Sequence, residues 1–218
     1  MTLMGVNMVK NSELFNLDGS MLVDLFNKCT YPHEILPILG DYILEFGKRL
    51  SSAEYKLQGD NIWIHKSAKI GPGVEIVGPA IIMEGVTLRH NAYLRENVII
   101  GPNCVIGNSC EIKNSVLIAA CEVPHFNYVG DSIIGVKAHL GAGVILANLR
   151  LDKQNIKISK EETNLRKIGA FIGDYSQIGC NSVLCPGTII YPNNVIYPLS
   201  TVKGIVKDGK LDIKVERL

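Results

Sequence analysis

The most constraining feature of this sequence is a hydrophobic repeat with a period of six residues. An α-helix would show a period of 3.6 and a half-buried strand a simple alternation, so the pattern fits neither. A six-residue period is typical of a parallel β-helix, in which three short strands and their turns make one triangular coil. Ten consecutive matches also exclude a β-sandwich with chance spacing. The aliphatic positions are Ile64, Ile70, Ile76, Ile82, Leu88, Leu94, Ile100, Ile106, Ile112 and Ile118.

The repeat is interrupted twice. It returns at Tyr128, ten residues after Ile118 instead of twelve, which predicts a register slip within residues 121–127. This segment contains His125, and irregular backbone in a regular solenoid is often functional. The second interruption is a polar insertion at residues 149–167, after which the period resumes at Ile172. We expect the insertion to form a loop on the binding face, although a surface loop without function fits the sequence as well.

Residues 1–60 lack the six-residue period and are predicted to form a short helical cap. Ser20 and Thr30 are candidate N-caps, and residues 35–50 carry an apolar stripe at helical spacing. We expect this segment to cover the open first coil, whose strand edges would otherwise be exposed. The predicted fold is therefore all-β, with a helical cap at 1–60, a β-helix domain at 61–205 and a C-terminal tail at 206–218. The tail could form a small hairpin or lie along the β-helix.

Composition limits the compartment and the partners. The formal net charge is +1, which favours neither a nucleic-acid nor a membrane partner. The sequence contains no run of eighteen apolar residues and no secretory signal at its N-terminus. None of the six cysteines forms a CxxC pair, and Cys104 and Cys110 fall on small inward positions of the repeat. We therefore expect buried, reduced thiols and a cytoplasmic protein.

Three motifs lie within the later repeats and carry a resemblance to a known family. They are Pro-His-Phe-Asn-Tyr-Val-Gly-Asp-Ser-Ile-Ile-Gly at 124–135, Leu-Gly-Ala-Gly at 140–143 and Ala-Asn-Leu-Arg at 147–150. Over about residues 60–205 the chain resembles the acetyltransferase half of the bifunctional N-acetylglucosamine-1-phosphate uridylyltransferase / glucosamine-1-phosphate acetyltransferases. The motifs are most similar to those of the archaeal and clostridial members. The resemblance implies a left-handed β-helix and a homotrimer. It also implies acetyl-CoA-dependent N-acetylation of an amino-sugar 1-phosphate, glucosamine-1-phosphate first, in the synthesis of UDP-N-acetylhexosamine precursors.

The same resemblance implies a role for individual residues, with His125 as the catalytic base and no metal in the reaction. The substrate-binding residues would be Arg95 and Lys113 at the phosphate, Tyr128 at the sugar phosphate, Glu111 near the amino sugar, Asn148 at the amine and acetyl group, and Lys157, or else Lys153, from the loop of a neighbouring subunit. Acetyl-CoA would contact Ala142, Cys180 and Pro198.

The phosphate assignment also has a physical basis. Arg95 and Lys113 are eighteen residues apart, so one coil separates them and their side chains should stack about one strand spacing apart. Two stacked cations repel each other unless an anion lies between them, and a phosphate would supply it. The alternative is a pair of solvated surface cations.

The sequence departs from the family pattern in two ways that matter. The family's asparagine one motif before Gly-Ala-Gly is His139 here, beside the expected amino-sugar pocket, so the identity of the sugar stays open. The uridylyltransferase half is expected to be absent, because 60 residues cannot hold a nucleotide-binding α/β domain.

Two other classes of function compete with acetyl transfer. A γ-class carbonic anhydrase would need three zinc-binding histidines with a closely spaced pair, and His90, His125 and His139 do not show that spacing. A non-catalytic trimeric scaffold that binds sugar phosphates would not need His125, Tyr128 and Asn148 together. We therefore predict an amino-sugar-phosphate N-acetyltransferase.

Overall fold

The computed structural model describes residues 8–207, which form a parallel β-helix with three faces and a helical N-terminal segment. The all-β fold predicted from the repeat is confirmed. Most of the predicted tail, from residue 208 onward, and the first seven residues lie outside the described part of the chain.

The three faces are sheets of stacked strands. Face 1 consists of nine strands, in spatial order Tyr55–Gln58, Ile62–His65, Ala80–Ile82, Val98–Ile100, Ser115–Leu117, Ile133–Ile134, Ala170–Ile172, Thr188–Ile190 and Ile205–Val206. Face 2 consists of seven, Glu75–Ile76, Tyr93–Leu94, Glu111–Lys113, Tyr128–Gly130, Ile145–Leu146, Val183–Leu184 and Thr201–Val202. Face 3 consists of seven, Lys69–Ile70, Thr87–Leu88, Val105–Asn108, Glu122–His125, His139–Leu140, Gln177–Ile178 and Val195–Ile196. Only the first pair of face 1 is antiparallel among these sheets.

The interior of the β-helix is filled by the aliphatic residues of the repeat. Leu94, Ile100, Ile106 and Ile112 are completely buried, as the six-residue period predicts. Cys104 and Cys110 are also buried inside the coils, as expected for small inward residues. Removal of this apolar surface from water is the main force that holds the coils together.

The register changes lie elsewhere than the sequence indicated. Ile112 pairs with Val129 and Leu117 pairs with Ile100, so Leu117, Val123 and Val129 point inward. Ile118 and Tyr128 are their outward-facing neighbours. The turn from face 2 to face 1 is one residue shorter than the six-residue repeat in two coils. These two corners contain Asn114 (φ 44°) and Asp131 (φ 49°).

The slip predicted around His125 is therefore wrong. His125 ends a strand that pairs in regular register with residues 105–108 of the preceding coil. Counting aliphatic residues could not locate the two lost positions, because Leu117 and Ile118, like Tyr128 and Val129, are adjacent apolar residues that satisfy the period almost equally well.

The N-terminal segment packs along the side of the β-helix. Its helices are Asn11–Leu14, Val23–Asn27, the 3₁₀ turn Pro32–Glu34 and Ile35–Gly47. Their apolar residues form one cluster with the outward side chains of face 1, among them Trp63, Ile81 and Ile99. The expectation that residues 1–60 cover the open first coil is met only at one face. The strand Tyr55–Gln58 covers the edge of face 1, but the helices lie along face 1 and Ile70 of the first coil stays 43% exposed.

Neither Ser20 nor Thr30 is the N-cap residue. The Ser20 hydroxyl accepts a hydrogen bond from the Leu22 N–H (3.1 Å), but Leu22 itself is at the N-cap of the helix Val23–Asn27. At the start of the 3₁₀ turn Pro32–Glu34, the Glu34 carboxylate accepts hydrogen bonds from the N–H groups of Thr30 and Tyr31, both at 2.9 Å. Glu34 thus takes the capping role expected of the Thr30 side chain.

The insertion at residues 149–167 folds back on its own chain. It contains a small hairpin, Lys157–Ile158 with Glu161–Glu162, and its ends meet in a bridge between Leu149 and Lys167. Ile156 and Ile158 are buried in the same cluster that covers face 1. In the described part of the chain, no helix has the length and apolar character required to cross a membrane.

Candidate active site

His125 lies in a column of residues at the corner between faces 3 and 2. The column, called here the His125 column, contains His90, Asn108, His125, Ala142, Cys180 and Pro198 in successive coils. Backbone hydrogen bonds link these corners. The Gly143 N–H donates to the His125 carbonyl (2.9 Å), the Asn181 N–H to that of Ala142 (2.8 Å) and the Leu199 N–H to that of Cys180 (2.9 Å). Neighbouring members are spaced by roughly 4.8 Å. The fold therefore brings the predicted base into line with the three predicted acetyl-CoA contacts.

The imidazole of His125 projects from this corner into solvent. It is exposed and makes no hydrogen bond with any residue from 8 to 207, so it is free to accept a proton from a ligand. The next residue, Phe126, has a positive φ of 52° and a side chain that is 60% exposed.

The turn around Ala142 has bare backbone on both sides. A Cβ added to Gly143, which has a φ of 71°, would lie 2.2 Å from the Asn181 Oδ1. A Cβ added to Gly141 would lie 2.6 Å from the Cys180 amide nitrogen. Neither position tolerates a side chain, because the next coil packs directly against the backbone of this turn.

A cluster of charged residues lies at the other edge of face 2. The face-2 cluster consists of Arg95, Glu96, Glu111, Lys113 and Asp131. The Arg95 guanidinium donates to the Glu111 carboxylate (3.1 Å), which raises the pKa of Arg95. The Lys113 ammonium lies 3.7 Å from the Asp131 carboxylate.

Arg95 and Lys113 are neighbours in successive coils, as their spacing predicts, but the anion between them belongs to the protein. Glu96 places one carboxylate oxygen 3.7 Å from Arg95 Nε and the other 3.8 Å from Lys113 Nζ. Two cations face three carboxylates, so Arg95 and Lys113 do not require an external anion, and their binding of a phosphate stays a prediction. Corner residue Glu96 already relieves their repulsion.

Tyr128 and Asn148 meet beside this cluster. The Asn148 amide donates to the Tyr128 hydroxyl (3.0 Å) and to the Asp131 carboxylate (2.5 Å). Burial, followed by the nearby Asp131 charge, raises the pKa of Tyr128, so its hydroxyl stays protonated at neutral pH. Gly130 makes room for this contact, because a Cβ there would lie 2.5 Å from the Tyr128 hydroxyl oxygen.

Two predicted site residues lie apart from both groups. His139 is on face 3, where its Nε2 is 4.0 Å from a Glu122 carboxylate oxygen. Lys157 pairs with Glu162 (2.5 Å) inside the hairpin of the insertion, and Lys153 lines a cleft of the same insertion. A single chain does not bring them to His125.

Three residues of the site have contacts that the sequence did not predict. Asp131 is 4% exposed, and its carboxylate accepts from the amides of Asn114 (2.8 Å) and Asn148. Asn127 is 2% exposed, and its Oδ1 accepts a hydrogen bond from the His125 N–H. Both belong to the motif at 124–135, and each is a polar residue in an otherwise apolar repeat, which was the available signal. Glu96 has no such signal, because its role depends on the corner geometry.

A cleft of about 1020 Å³ lies elsewhere, lined by residues between 10 and 30 together with Asp174 and Pro192. It contains none of the predicted site residues. Among residues 8–207 no group of three or more His, Cys, Asp or Glu side chains is arranged to hold a metal ion.

Stacked hexapeptide coils with a helical segment along one face place the protein in the class of parallel β-solenoids. The family model described as the GMPPB C-terminal domain matches residues 76–197, more than half of the chain. The chain belongs to this family.

The relatives extend the comparison to acetyltransferases. The chain is 36% identical over 153 residues to a bifunctional sugar-1-phosphate nucleotidylyltransferase/acetyltransferase of Sulfurisphaera tokodaii, a match that covers 67% of this chain and 38% of the relative. It is 38% identical over 79 residues to the bifunctional protein GlmU of Methanococcus maripaludis, covering 35% of this chain and 19% of the relative. The chain thus spans well under half the length of these curated relatives.

Among solved structures, a histidine variant of GDP-perosamine N-acetyl transferase from Caulobacter crescentus, in complex with CoA and GDP-perosamine, is similar at 20% identity and a TM-score of 0.37. The match covers 66% of this chain and 53% of that one.

Proposed function

We propose that the protein is an acetyl-CoA-dependent N-acetyltransferase that acts on an amino-sugar 1-phosphate, with glucosamine-1-phosphate as the first candidate. The observation that carries the proposal is the exposed His125 in one column with Ala142, Cys180 and Pro198. The name of the relative in Sulfurisphaera tokodaii, a bifunctional sugar-1-phosphate nucleotidylyltransferase/acetyltransferase, is consistent with it.

The chemistry needs a base and a defined place for the thioester. The amine nitrogen of the sugar attacks the thioester carbonyl, the C–N bond forms and the C–S bond breaks. His125 accepts the proton that the nitrogen loses and returns it to the departing sulfur, so that coenzyme A leaves as the thiol. Acetyl-CoA lies along the His125 column towards Pro198, so that its thioester is next to His125 and the turn at Ala142.

The sugar phosphate binds on face 2. Arg95 and Lys113 bind the phosphate, which replaces Glu96 as the anion between the two cations. Glu111 then accepts a hydrogen bond from the amino group of the sugar. The Tyr128 hydroxyl is free to donate a hydrogen bond to the substrate, because its oxygen already accepts one from the Asn148 amide. An amino-sugar phosphate therefore carries charges of both signs that match the mixed face-2 cluster.

The site is completed between copies of the chain in a homotrimer. Face 1 is covered by the chain's own helices and hairpin, so faces 2 and 3 remain for association. The His125 column is the corner between these two faces. A neighbouring copy could bring Lys157 or Lys153 to this corner, which the same chain does not do.

A thiol-release assay tests the proposal. The protein is mixed with acetyl-CoA and with glucosamine-1-phosphate, galactosamine-1-phosphate or the matching amino sugars without phosphate, and the product is identified by mass spectrometry. We expect amine-dependent thiol release and an N-acetylated sugar phosphate, with slower reaction of the sugars without phosphate. Sugar binding without thiol release would instead favour a non-catalytic scaffold.

A further inference from the structure

Asn127 occupies a position inside the β-helix that is apolar in the adjacent coils. The equivalent inward residues of the preceding and following coils are Ala92, Cys110 and Val144. Asn127 is only 2% exposed. A buried amide is costly unless its donors and acceptor are bonded, so its presence in this column calls for a specific set of partners.

Those partners are the two backbone segments of the proposed catalytic corner. The Asn127 Oδ1 accepts from the His125 N–H (3.0 Å), and its Nδ2 donates to the Gly141 carbonyl (2.7 Å). The Gly143 N–H in turn donates to the His125 carbonyl (2.9 Å). Both polar backbone groups of His125 are therefore tied to the turn at 141–143, one of them through the side chain of Asn127.

We propose that Asn127 is a positioning residue, which fixes His125 relative to the Gly141–Gly143 turn where the acetyl donor binds. The inference deepens the proposed acetyl transfer and rests on it. The His125 imidazole has no hydrogen bond with the described residues, so within this part of the chain the backbone alone determines where its Cβ lies. Loss of the amide would let the corner shift, and a misplacement of about 1 Å can cost about 100-fold in rate.

Two variants separate positioning from packing. Asn127→Val fits a column that holds Val144 in the next coil, but it removes both of these bonds and the one that the Cys110 thiol donates to the Asn127 Oδ1 (3.4 Å). Asn127→Ser keeps a donor, because Ser182 in the same column donates to the Tyr197 carbonyl (3.0 Å). Ser176→Val is the matched control. Its buried hydroxyl makes the same kind of bond, to the Tyr191 carbonyl (3.0 Å), at a different corner.

The readouts are steady-state kinetics and amide hydrogen exchange. We expect Asn127→Val to lower kcat by about 10- to 100-fold, with the KM for the sugar unchanged and the pH dependence of the rate retained, since His125 is still the base. Asn127→Ser should lower kcat by a smaller factor. The His125 and Gly143 amides should exchange faster in Asn127→Val than in Ser176→Val, which should keep the parental kcat.

The outcomes that overturn the inference are distinct from failure of the proposed function. Parental kcat in both Asn127 variants would overturn it, and so would unchanged exchange at His125. If Asn127→Val does not fold, the same comparison is made with Asn127→Ser. If the parent transfers no acetyl group to any amine, the proposed function fails and this inference fails with it, whereas the amide exchange still reports whether Asn127 holds the corner.

Discussion

Arg95 and Lys113 belong to one charged cluster, but their surroundings differ. The Arg95 side chain is 34% exposed and bonds to Glu111, whose side chain is 37% exposed, and such a solvent-accessible pair contributes little to stability. The Lys113 side chain is 14% exposed and lies beside Asp131, whose side chain is 5% exposed. Removal of Lys113 therefore leaves a buried carboxylate without its cation, which removal of Arg95 does not.

The two alanine variants should separate binding from stability. We expect Arg95→Ala and Lys113→Ala each to raise the KM for the sugar phosphate about 10- to 100-fold, since a hydrogen bond to a charged group is worth about 1.5–3 kcal/mol. Only Lys113→Ala should also lower the free energy of unfolding, by about 1–3 kcal/mol. Kinetics with each substrate varied in turn and urea unfolding measure both effects. If both variants raise only the KM for acetyl-CoA, the phosphate assignment is wrong.

At the scale of elements, the helix Ile35–Gly47 lies closest to face 1 at its C-terminal end. A Cβ added to Gly47 would be 2.5 Å from three atoms of the Trp63 ring. A Cβ added to Gly40, in the same helix, would meet only the end of the Asn97 side chain, at 2.7 Å from its Oδ1. The indole ring is fixed in the core, whereas the Asn97 amide can turn away.

These two glycines give a matched pair of substitutions. We expect Gly47→Ala to destabilise the protein by about 1–3 kcal/mol, the usual cost of overpacking. Gly40→Ala should be close to neutral, because the gain of about 1 kcal/mol in helix propensity offsets the small displacement of Asn97. Thermal unfolding followed by circular dichroism compares them. Equal stability of the two variants would contradict the close packing of this helix on face 1.

Tyr42 makes the same helix sensitive to alkaline pH. Its hydroxyl is buried and forms no hydrogen bond within residues 8–207, and burial raises the pKa of Tyr42 to about 12 from 10.0. The neutral phenol is therefore favoured in the folded state. The free energy of unfolding is unaffected below pH 10 and falls as the pH rises towards 12, because only the unfolded chain ionises there.

Tyr42→Phe should remove this dependence. We expect the variant to be at least as stable as the parent at pH 8, since no hydrogen bond is lost, and to lose about 1–2 kcal/mol less than the parent at pH 11. Urea unfolding at both pH values measures the difference. Parallel losses in parent and variant would mean that Tyr42 does not keep its proton in the folded protein.

The elements were predictable to different degrees for physical reasons. The six-residue period specifies which side chains enter the coil, so the inward positions from Ile82 to Ile112 follow from the sequence. The helical stripe at residues 35–50 shows only that one side of the helix is buried, not which surface covers it. Its position along face 1 depends on tertiary contacts such as that between Gly47 and Trp63.

At the scale of the whole molecule, the site consists of the His125 column and the face-2 cluster, and the sequence predicted the first better than the second. The set of His125, Ala142, Cys180 and Pro198 was predicted from the family resemblance and not from the repeat, because the spacings between its members are 17, 38 and 18 residues. The charge balance of the face-2 cluster was not predicted, because Glu96 and Asp131 come from corners whose residue count varies. Electrostatics at such corners depends on distances of a few ångströms.

The coverage of face 1 also determines how copies of the chain can associate. With faces 2 and 3 left open, we expect a closed ring of three copies, with the His125 column between neighbours. Light scattering at micromolar concentration should give three times the chain mass of 23.9 kDa. A monomer mass under these conditions would contradict a site shared between copies.

The most direct test of the account is the turnover of His125→Ala in the thiol-release assay across a range of pH. His90→Ala is the matched control, since His90 is an exposed histidine of the same column, two coils earlier. We predict that His125→Ala folds and assembles as the parent does, with kcat lowered by about 10²- to 10⁴-fold and little change in the KM for the sugar phosphate. The rise of the parent's kcat/KM with pH should disappear in His125→Ala and persist in His90→Ala. A folded His125→Ala protein that keeps more than about a tenth of the parental kcat, less than the smallest loss expected of a general base, would contradict the account.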